Sequence, residues 1–328
     1  MNILAIRLAR FGDVVLLLPA LTALKFNTPG SRLTFLTDHR LSSLAEMCPA
    51  IDDIIAVDRI AMRDGSRLAS LRSMRDVIKE VRRRRFDLAI DFHGFRETNL
   101  LTWLSGSPKR LGLKRFDQSF LDFCFNLPPV LEDKSIHASE VFMKVAERVG
   151  VRSSSTASAM VVPESAQKWV RAALSPRPYA ALYVDAPTSK RIWPPEHFAS
   201  VVDHLVQRGL QVVLIAGAEG SQLLTQVQEA ARLAEHVRAF SNLTIPQLAA
   251  VVQGADIWVS NDTGPMHLGP ILGVPTLGLF SIGLPEHFRP MGPDDMYVRS
   301  NPIERITVRE VIDSVEKLRT KERPDPRR

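Results

Sequence analysis

Asn2-Ile3-Leu4-Ala5-Ile6-Arg7-Leu8-Ala9-Arg10-Phe11-Gly12-Asp13 opens the chain, and its reading decides the fold. Residues 2–6 are an apolar run of strand length. A turn containing Gly12 follows, and the apolar stretch beyond it runs as a helix to Lys25. The same alternation recurs along the chain. Residues 32–36, 53–57 and 86–90 read as strands, the last ending at Asp91, and 67–85 and 137–149 read as helices. Ala138, Val141, Val145 and Val149 form the apolar stripe of the second helix. The second half repeats the pattern, with strands at 179–184, 211–216, 255–260 and 276–280. Its helices fall at 195–208, 221–234, 245–253 and 307–319, and Pro195 suits a first helical turn. Strands alternating with helices predict an α/β fold with two Rossmann-like, doubly wound parallel-sheet domains facing across a cleft.

A length of 328 residues suits two domains. The expected division is 1–160 and 161–328, and the final helix, 307–319, could pack back on the first domain. Ser153, Ser154, Ser155, Thr156 and Ser158 before Pro163 have the composition of a linker, and 159–162 could add a last strand. Residues 1–160 hold 24 Lys+Arg against 18 Asp+Glu, and 161–328 hold 18 of each, so the whole net charge of +6 lies in the first half. A basic half attracts phosphorylated or carboxylated partners. Around Arg82–Arg85 there is no aromatic interleaving of the nucleic-acid-binding kind, so no nucleic-acid partner is expected. The apolar run 14–18 is too short to cross a bilayer, and Arg7, Arg10 and Asp13 interrupt what a signal peptide would need. A cytoplasmic location is expected. Cys48 and Cys124 read as buried, reduced thiols without zinc-ligand spacing.

Four motifs fall where such sheets bind ligands, at the carboxyl ends of strands. In the first, Gly12 permits a tight turn, and Asp13 stands where a helix begins, as either a cap or a reactive carboxylate. The absence of GxGxxG leaves a dinucleotide site of the common type unsupported. The second motif is Asp262-Thr263-Gly264-Pro265-Met266-His267. It sets a hydroxyl, a glycine and backbone N–H groups at a helix start, an anion cradle suited to diphosphate; otherwise it is a capped helix with His267 in the core. The third, Pro187-Thr188-Ser189-Lys190-Arg191-Ile192-Trp193-Pro194, offers two hydroxyls and two cations to a phosphate, or is an exposed loop. The fourth, Gly217-Ala218-Glu219-Gly220, presents a carboxylate to ribose hydroxyls, or to a helix N-terminus. No Asp-x-Asp triplet occurs, so no metal site is expected, and cations and N–H groups would stabilise a leaving diphosphate.

Taken in this order and spacing, the motifs resemble glycosyltransferase family 9, the heptosyltransferases of lipopolysaccharide core synthesis. The resemblance spans nearly the whole chain. It is carried by the opening strand with Gly12-Asp13, by Phe86-Asp87-Leu88-Ala89-Ile90-Asp91 through Gly94 and Arg96, by 260–267, and by the Ile-Trp-Pro-Pro-Glu segment after Lys190-Arg191. It implies a GT-B architecture, with the N-terminal domain binding acceptor and the C-terminal domain binding donor. It also implies an inverting, metal-independent transfer in which ADP-heptose is the co-substrate and no cofactor is used. On this resemblance Asp13 is the catalytic base. Asp262, Thr263, Gly264, Pro265 and His267 form the donor loop, Glu219 meets ribose, and Thr188 and Ser189 lie near the phosphates. The family's Lys-x-Trp-Pro register falls on Arg191, with Lys190 beside it, so both are donor candidates. Arg10, Gly12 and Arg96 are acceptor candidates. The implied acceptor is an anionic glycolipid at the inner membrane face, either lipid A-Kdo or a heptosylated core. Peripheral membrane contact would fall to the basic 67–85 segment, and a monomer is the default. The alternatives are a different sugar donor, or a non-catalytic nucleotide-sugar-binding protein. A retained Asp13 speaks against the second, because donor binding needs no base in the opposite domain. A Rossmann oxidoreductase lacks its glycine fingerprint.

Overall fold

The computed structural model describes residues 1–8, 10–59, 67–152 and 158–320; most of the expected serine-rich linker and the charged tail lie outside the described residues. The chain divides into two compact units, Met1–Val161 and Val162–Arg328. The first contains β1 (Asn2–Arg7), α1 (Phe11–Asn27), β2 (Arg32–Asp38), α2 (Ser42–Glu46), β3 (Asp53–Val57) and α3 (Arg67–Arg83). It continues with β4 (Leu88–Asp91), α4 (Arg96–Leu104), β5 (Lys109–Lys114), β6 (Val130–Leu131) and α5 (Ala138–Glu147). The second contains α6 (Glu164–Ala173), β7 (Tyr179–Tyr183), α7 (Pro195–Gln207), β8 (Gln211–Ala216), α8 (Ser221–Ala230), β9 (Val237–Ser241) and α9 (Ile245–Gly254). After these come β10 (Ile257–Asn261), α10 (Leu268–Ile271), β11 (Thr276–Phe280), α11 (Pro285–Phe288), β12 (Met296–Arg299) and α12 (Val308–Arg319).

The expected α/β class is what the chain adopts. Each unit has one six-stranded sheet, in the orders β3-β2-β1-β4-β5-β6 and β9-β8-β7-β10-β11-β12. Every pairing is parallel. The two orders are the same doubly wound topology, with strand order reversing between β1 and β4 and again between β7 and β10. Such reversals open a crevice at the carboxyl edge of a sheet.

Strands covered by helices on both faces read as unbroken apolar runs rather than alternating ones. Ile3, Leu4, Ala5 and Ile6 are all fully buried, as are Val212, Val213 and Leu214 of β8. The first core gathers Leu4, Ile6, Leu36, Ile55, Val81, Phe86 and Ala89, with Val77 and Ile78 of α3 against it. The second packs Phe198, Val202 and Leu205 of α7 against Leu182, Val212, Leu214, Ile257 and Leu277. The final helix also closes this core through Val311, Val315 and Leu318, and His204 Nε2 of α7 lies 2.7 Å from Glu316 Oε1. The apolar face of 307–319 is thus used inside the second unit. The 159–162 segment is not a strand. Its one backbone tie there is the Val161 N–H to the Met47 carbonyl, at 2.7 Å, because Pro163 cannot continue a ladder. Among the described residues no helix is long and apolar enough to cross a membrane.

Sharp turns leave the strands at the crevices. After β4 the chain reverses through Gly94 at φ +73°, where a Cβ would lie 2.4 Å from the Leu113 carbonyl oxygen. Gly94→Ala should therefore destabilise the protein by about 2 kcal/mol or more, read as a lower urea midpoint with an unchanged slope; an unchanged midpoint would mean the turn tolerates a side chain.

Candidate functional site

In the first unit the sequence-predicted carboxylate lies on the opening turn of α1. Asp13 is the third residue of that helix, and the cap position belongs to Arg10, so the reading of Asp13 as a cap does not hold. Gly12 is also inside the helix rather than in a turn, and buried. Asp13 Oδ1 lies 3.0 Å from Nη2 of Arg7, the last residue of β1. Arg7 is 3% exposed. It donates from Nη1 to the Phe92 carbonyl and lies 4.8 Å from the centroid of the Phe142 ring. Burial lowers the Arg7 pKa while Asp13 opposes the shift; a guanidinium stays charged regardless. The carboxylate, 26% exposed, is thus backed by a fixed, buried cation.

β4 builds the wall beside this pair. Asp91 is fully buried; its Oδ1 accepts the N–H groups of His93 at 2.8 Å and Gly94 at 3.0 Å, and its Oδ2 accepts Asn99 Nδ2 at 2.8 Å. Burial pushes its pKa up and these bonds oppose that. Asp91 shapes the turn. His93 stacks on Phe95 at 4.3 Å between ring centroids, and the Arg115 guanidinium lies 5.2 Å from the Phe95 ring centroid. Burial, then Arg7, Arg59 and Arg115, push the His93 pKa down to about 2, so its imidazole is neutral. His93 Nδ1, Arg7 Nε and Arg115 Nε are buried without hydrogen-bond partners among the described residues. Arg10 and Arg96 are exposed, Arg96 opening α4. Arg7, His93 and Arg115 escaped the sequence reading. The available signal was an arginine closing an otherwise apolar buried strand.

In the second unit the crevice lies between β7 and β10. Asn261, the last residue of β10, is fully buried. It donates to the Val184 carbonyl at 2.9 Å and accepts the Trp193 N–H at 3.2 Å. Trp193 is itself buried, its indole N–H on the Ile306 carbonyl at 2.9 Å. Asn261 therefore sews the 184–193 loop to the sheet. On that loop Thr188, Ser189 and Lys190 are exposed, and Ser281 Oγ donates to the Lys190 carbonyl at 2.5 Å. Arg191 turns toward Asp262, with Nη1 3.3 Å from the Asp262 carbonyl and 3.2 Å from Oδ2. The second approach is an ion pair, and Asp262 Oδ2 has no hydrogen-bond partner among the described residues. Burial raises the Asp262 pKa and Arg191 opposes it. A Cβ at Gly283 would lie 2.1 Å from the same oxygen, so a side chain there would have to displace the Asp262 carboxylate. The two cations thus differ: Arg191 is engaged with Asp262, and the Lys190 ammonium has no ion pair among the described residues.

The helix expected at Gly264 is a single 3₁₀ turn, Gly264–His267, leading into the four-residue α10. Pro270 lacks the N–H that would bond the Met266 carbonyl and keeps this segment short. Its capacity for anions therefore rests on individual N–H groups rather than on a long helix dipole. Thr263, Gly264 and Pro265 are half-buried, and His267 is buried. Glu219 is exposed on the 217–220 loop. Asp185, at the end of β7, shapes that loop and was missed from sequence: its Oδ2 accepts the Gly217 N–H at 3.1 Å, and a Cβ at Gly220 would come within 2.6 Å of it. Burial, with Asp185 adding to it, pushes Tyr183 up to about 12, so its hydroxyl keeps its proton.

The model of glycosyltransferase family 9 (heptosyltransferase) matches residues 74–318. Lipopolysaccharide heptosyltransferase 3 of Escherichia coli strain K12 is 26% identical over 285 residues, covering 82% of this chain and 79% of that protein. A solved family 9 glycosyltransferase from Veillonella parvula is 22% identical with a TM-score of 0.83, covering 97% of this chain and 96% of its own. Escherichia coli heptosyltransferase WaaC with ADP-2-deoxy-2-fluoro heptose is 20% identical with a TM-score of 0.80, covering 97% and 99%. The chain belongs to glycosyltransferase family 9, is a glycosyltransferase, and has the two-domain GT-B fold of its relatives.

His93 makes a pH dependence visible. Its folded pKa, about 2, lies below the ordinary 6.5, so as pH falls through 6.5 the unfolded chain takes up a proton that the folded protein refuses. Stability should fall toward acid by up to about 1.4 kcal/mol per pH unit from this group, and His93→Gln should flatten that slope in urea titrations between pH 6.5 and 4.5. An unchanged slope would mean His93 is protonated in the folded state.

Proposed function

We propose that this family 9 glycosyltransferase moves heptose from ADP-heptose onto the lipopolysaccharide inner core, lipid A-Kdo or a heptosylated core, with inversion and without a metal. The observation that carries the reading is the Arg7–Asp13 pair, a half-exposed carboxylate fixed by a buried guanidinium at the first sheet's reversal point. The relative solved with an ADP-heptose analogue supports the donor, and the named lipopolysaccharide heptosyltransferase supports the acceptor class.

In this reading the acceptor hydroxyl oxygen attacks the anomeric carbon while Asp13 takes its proton. The bond from that carbon to the diphosphate breaks, and ADP leaves with the electron pair. A single displacement inverts the anomeric centre. The first unit binds acceptor and supplies the base; the second binds donor and stabilises the leaving group. Lys190, whose ammonium has no ion pair among the described residues, and the N–H groups at Thr263 and Gly264 meet the developing charge on the diphosphate. Thr188 and Ser189 offer hydroxyls to phosphate oxygens, and Glu219 accepts from ribose. Asp262, oriented by Arg191, meets sugar hydroxyls. Pro265 and the buried His267 hold the short turn that presents these groups. Arg10, Arg96 and the N–H side of Gly12 face the acceptor, whose negative charge suits the basic first half. The enzyme would act in the cytoplasm as a single chain, on a glycolipid at the inner membrane face.

Asp13→Asn should lower kcat by about 10² to 10⁴-fold while calorimetry still shows donor binding; full turnover would remove Asp13 as the base. Titrating ADP-heptose, ADP, UDP-sugars and GDP-sugars in the presence of a chelator should show tight binding of ADP-heptose alone among the sugars. Preference for a UDP- or GDP-sugar would discard heptose, and binding that needs added metal would discard the metal-independent scheme.

A further inference from the structure

α3 and α4 pack side by side on the first unit, and each turns an unusual surface outward. Val77, Ile78 and Val81 of α3 serve the core. Its polar side exposes Arg72, Arg75, Lys79, Arg82 and Arg83. The helix carries two acids, Asp76 and Glu80; these pair with Arg75 and with Arg83 and Arg84. Arg72, Lys79 and Arg82 are left without ion pairs among the described residues.

Beside this basic helix, α4 exposes Leu100 and Trp103, at 39% and 46%. Trp103 meets Phe123 edge-on at 6.1 Å, and Phe123 is 63% exposed. Along the β5–β6 edge Leu131 and Phe116 also stand out, at 67% and 89%. Lys114 joins the two groups: it pairs in register with Leu131, and its ammonium lies 3.4 Å from Asp122, next to Phe123.

This combination selects among partners. Protein interfaces deplete charge around their apolar centre. Single-stranded nucleic acid wants aromatics set among the cations, whereas here the cations lie on one helix and the aromatics on its neighbours. Protruding Trp, Phe and Leu beside unpaired Lys and Arg match the interfacial zone of a bilayer, where aromatic rings settle at headgroup level and anionic lipids attract the cations.

We propose that the outward face of α3 and α4, with Phe116, Phe123 and Leu131, docks the enzyme on an anionic phospholipid bilayer. This deepens the functional reading, since the acceptor proposed above is a glycolipid, but its evidence is the surface itself. The test is sedimentation of the full chain with vesicles of phosphatidylcholine, alone or with about a third phosphatidylglycerol, in the absence of donor and glycolipid. Binding is expected to the mixed vesicles and not to phosphatidylcholine alone. The double variant Lys79→Gln/Arg82→Gln should bind about 25-fold more weakly, roughly fivefold per cation. Trp103→Ser/Phe123→Ser should lose about tenfold. Both should keep the parent's thermal midpoint and its transfer to a water-soluble acceptor fragment. No binding to mixed vesicles, equal binding to both kinds, or variants that bind like the parent would overturn the proposal. So would a dimer that Trp103→Ser/Phe123→Ser converts to monomer with vesicle binding unchanged, which would make this face a contact between copies. Because the assay contains neither substrate, a failure of the transferase reading would show separately, as lack of transfer by the unmodified chain.

Discussion

The strands at the centre of each sheet, β1 and β4 in one unit and β7 and β10 in the other, are covered on both faces. A side chain along their length must be apolar, since an unpaired buried polar group is costly. Polar chemistry is therefore confined to where these strands stop. Arg7 closes β1, Asp91 closes β4, Asp185 follows β7 and Asn261 closes β10. In each unit the reversal of strand order falls between the two strands concerned, so their ends share one crevice.

The two units use their crevices differently. In the first, a fully buried aspartate spends its oxygens on the turn after β4, which leaves Asp13 as the half-exposed carboxylate near it, held by a cation that cannot move away. In the second, the polar strand end organises loops. Asn261 ties down one and Asp185 another, and the exposed hydroxyls, the lysine and Glu219 are carried on them. The transfer proposed above rests on this contrast between a fixed carboxylate in one unit and loops carrying exposed polar groups in the other.

Much of this was legible in the residues. The apolar runs of β1, β4, β8 and β11 reveal themselves because burial on both faces demands them. The strands that went unread, β5, β6, β9 and β12, include three of the four sheet edges. β5 is bounded by Lys and Arg, β6 is two residues long, and Met296–Arg299 alternates between half-buried and exposed. α4 hid because Leu100 and Trp103 put apolar residues on its solvent side, which blurs a helical period. Within the sites, groups at turns announced themselves by type and spacing. Arg7, His93, Arg115 and Asp185 did not, because their importance comes from a neighbour distant in sequence. The 264–267 segment was read as a full helix start, and Pro270 was the residue that should have shortened it.

The engagement of Arg191 with Asp262 gives the second crevice an internal bargain. A buried carboxylate leans on a guanidinium that also stands beside Lys190 and the hydroxyls of Thr188 and Ser189. A ligand that draws the guanidinium toward its own anionic end strips Asp262 of its counter-charge unless the other end of the same ligand gives that carboxylate hydroxyl donors. For a ligand of the proposed kind, fragments bearing one end alone would bind less well than their share of the whole, and recognition would be superadditive.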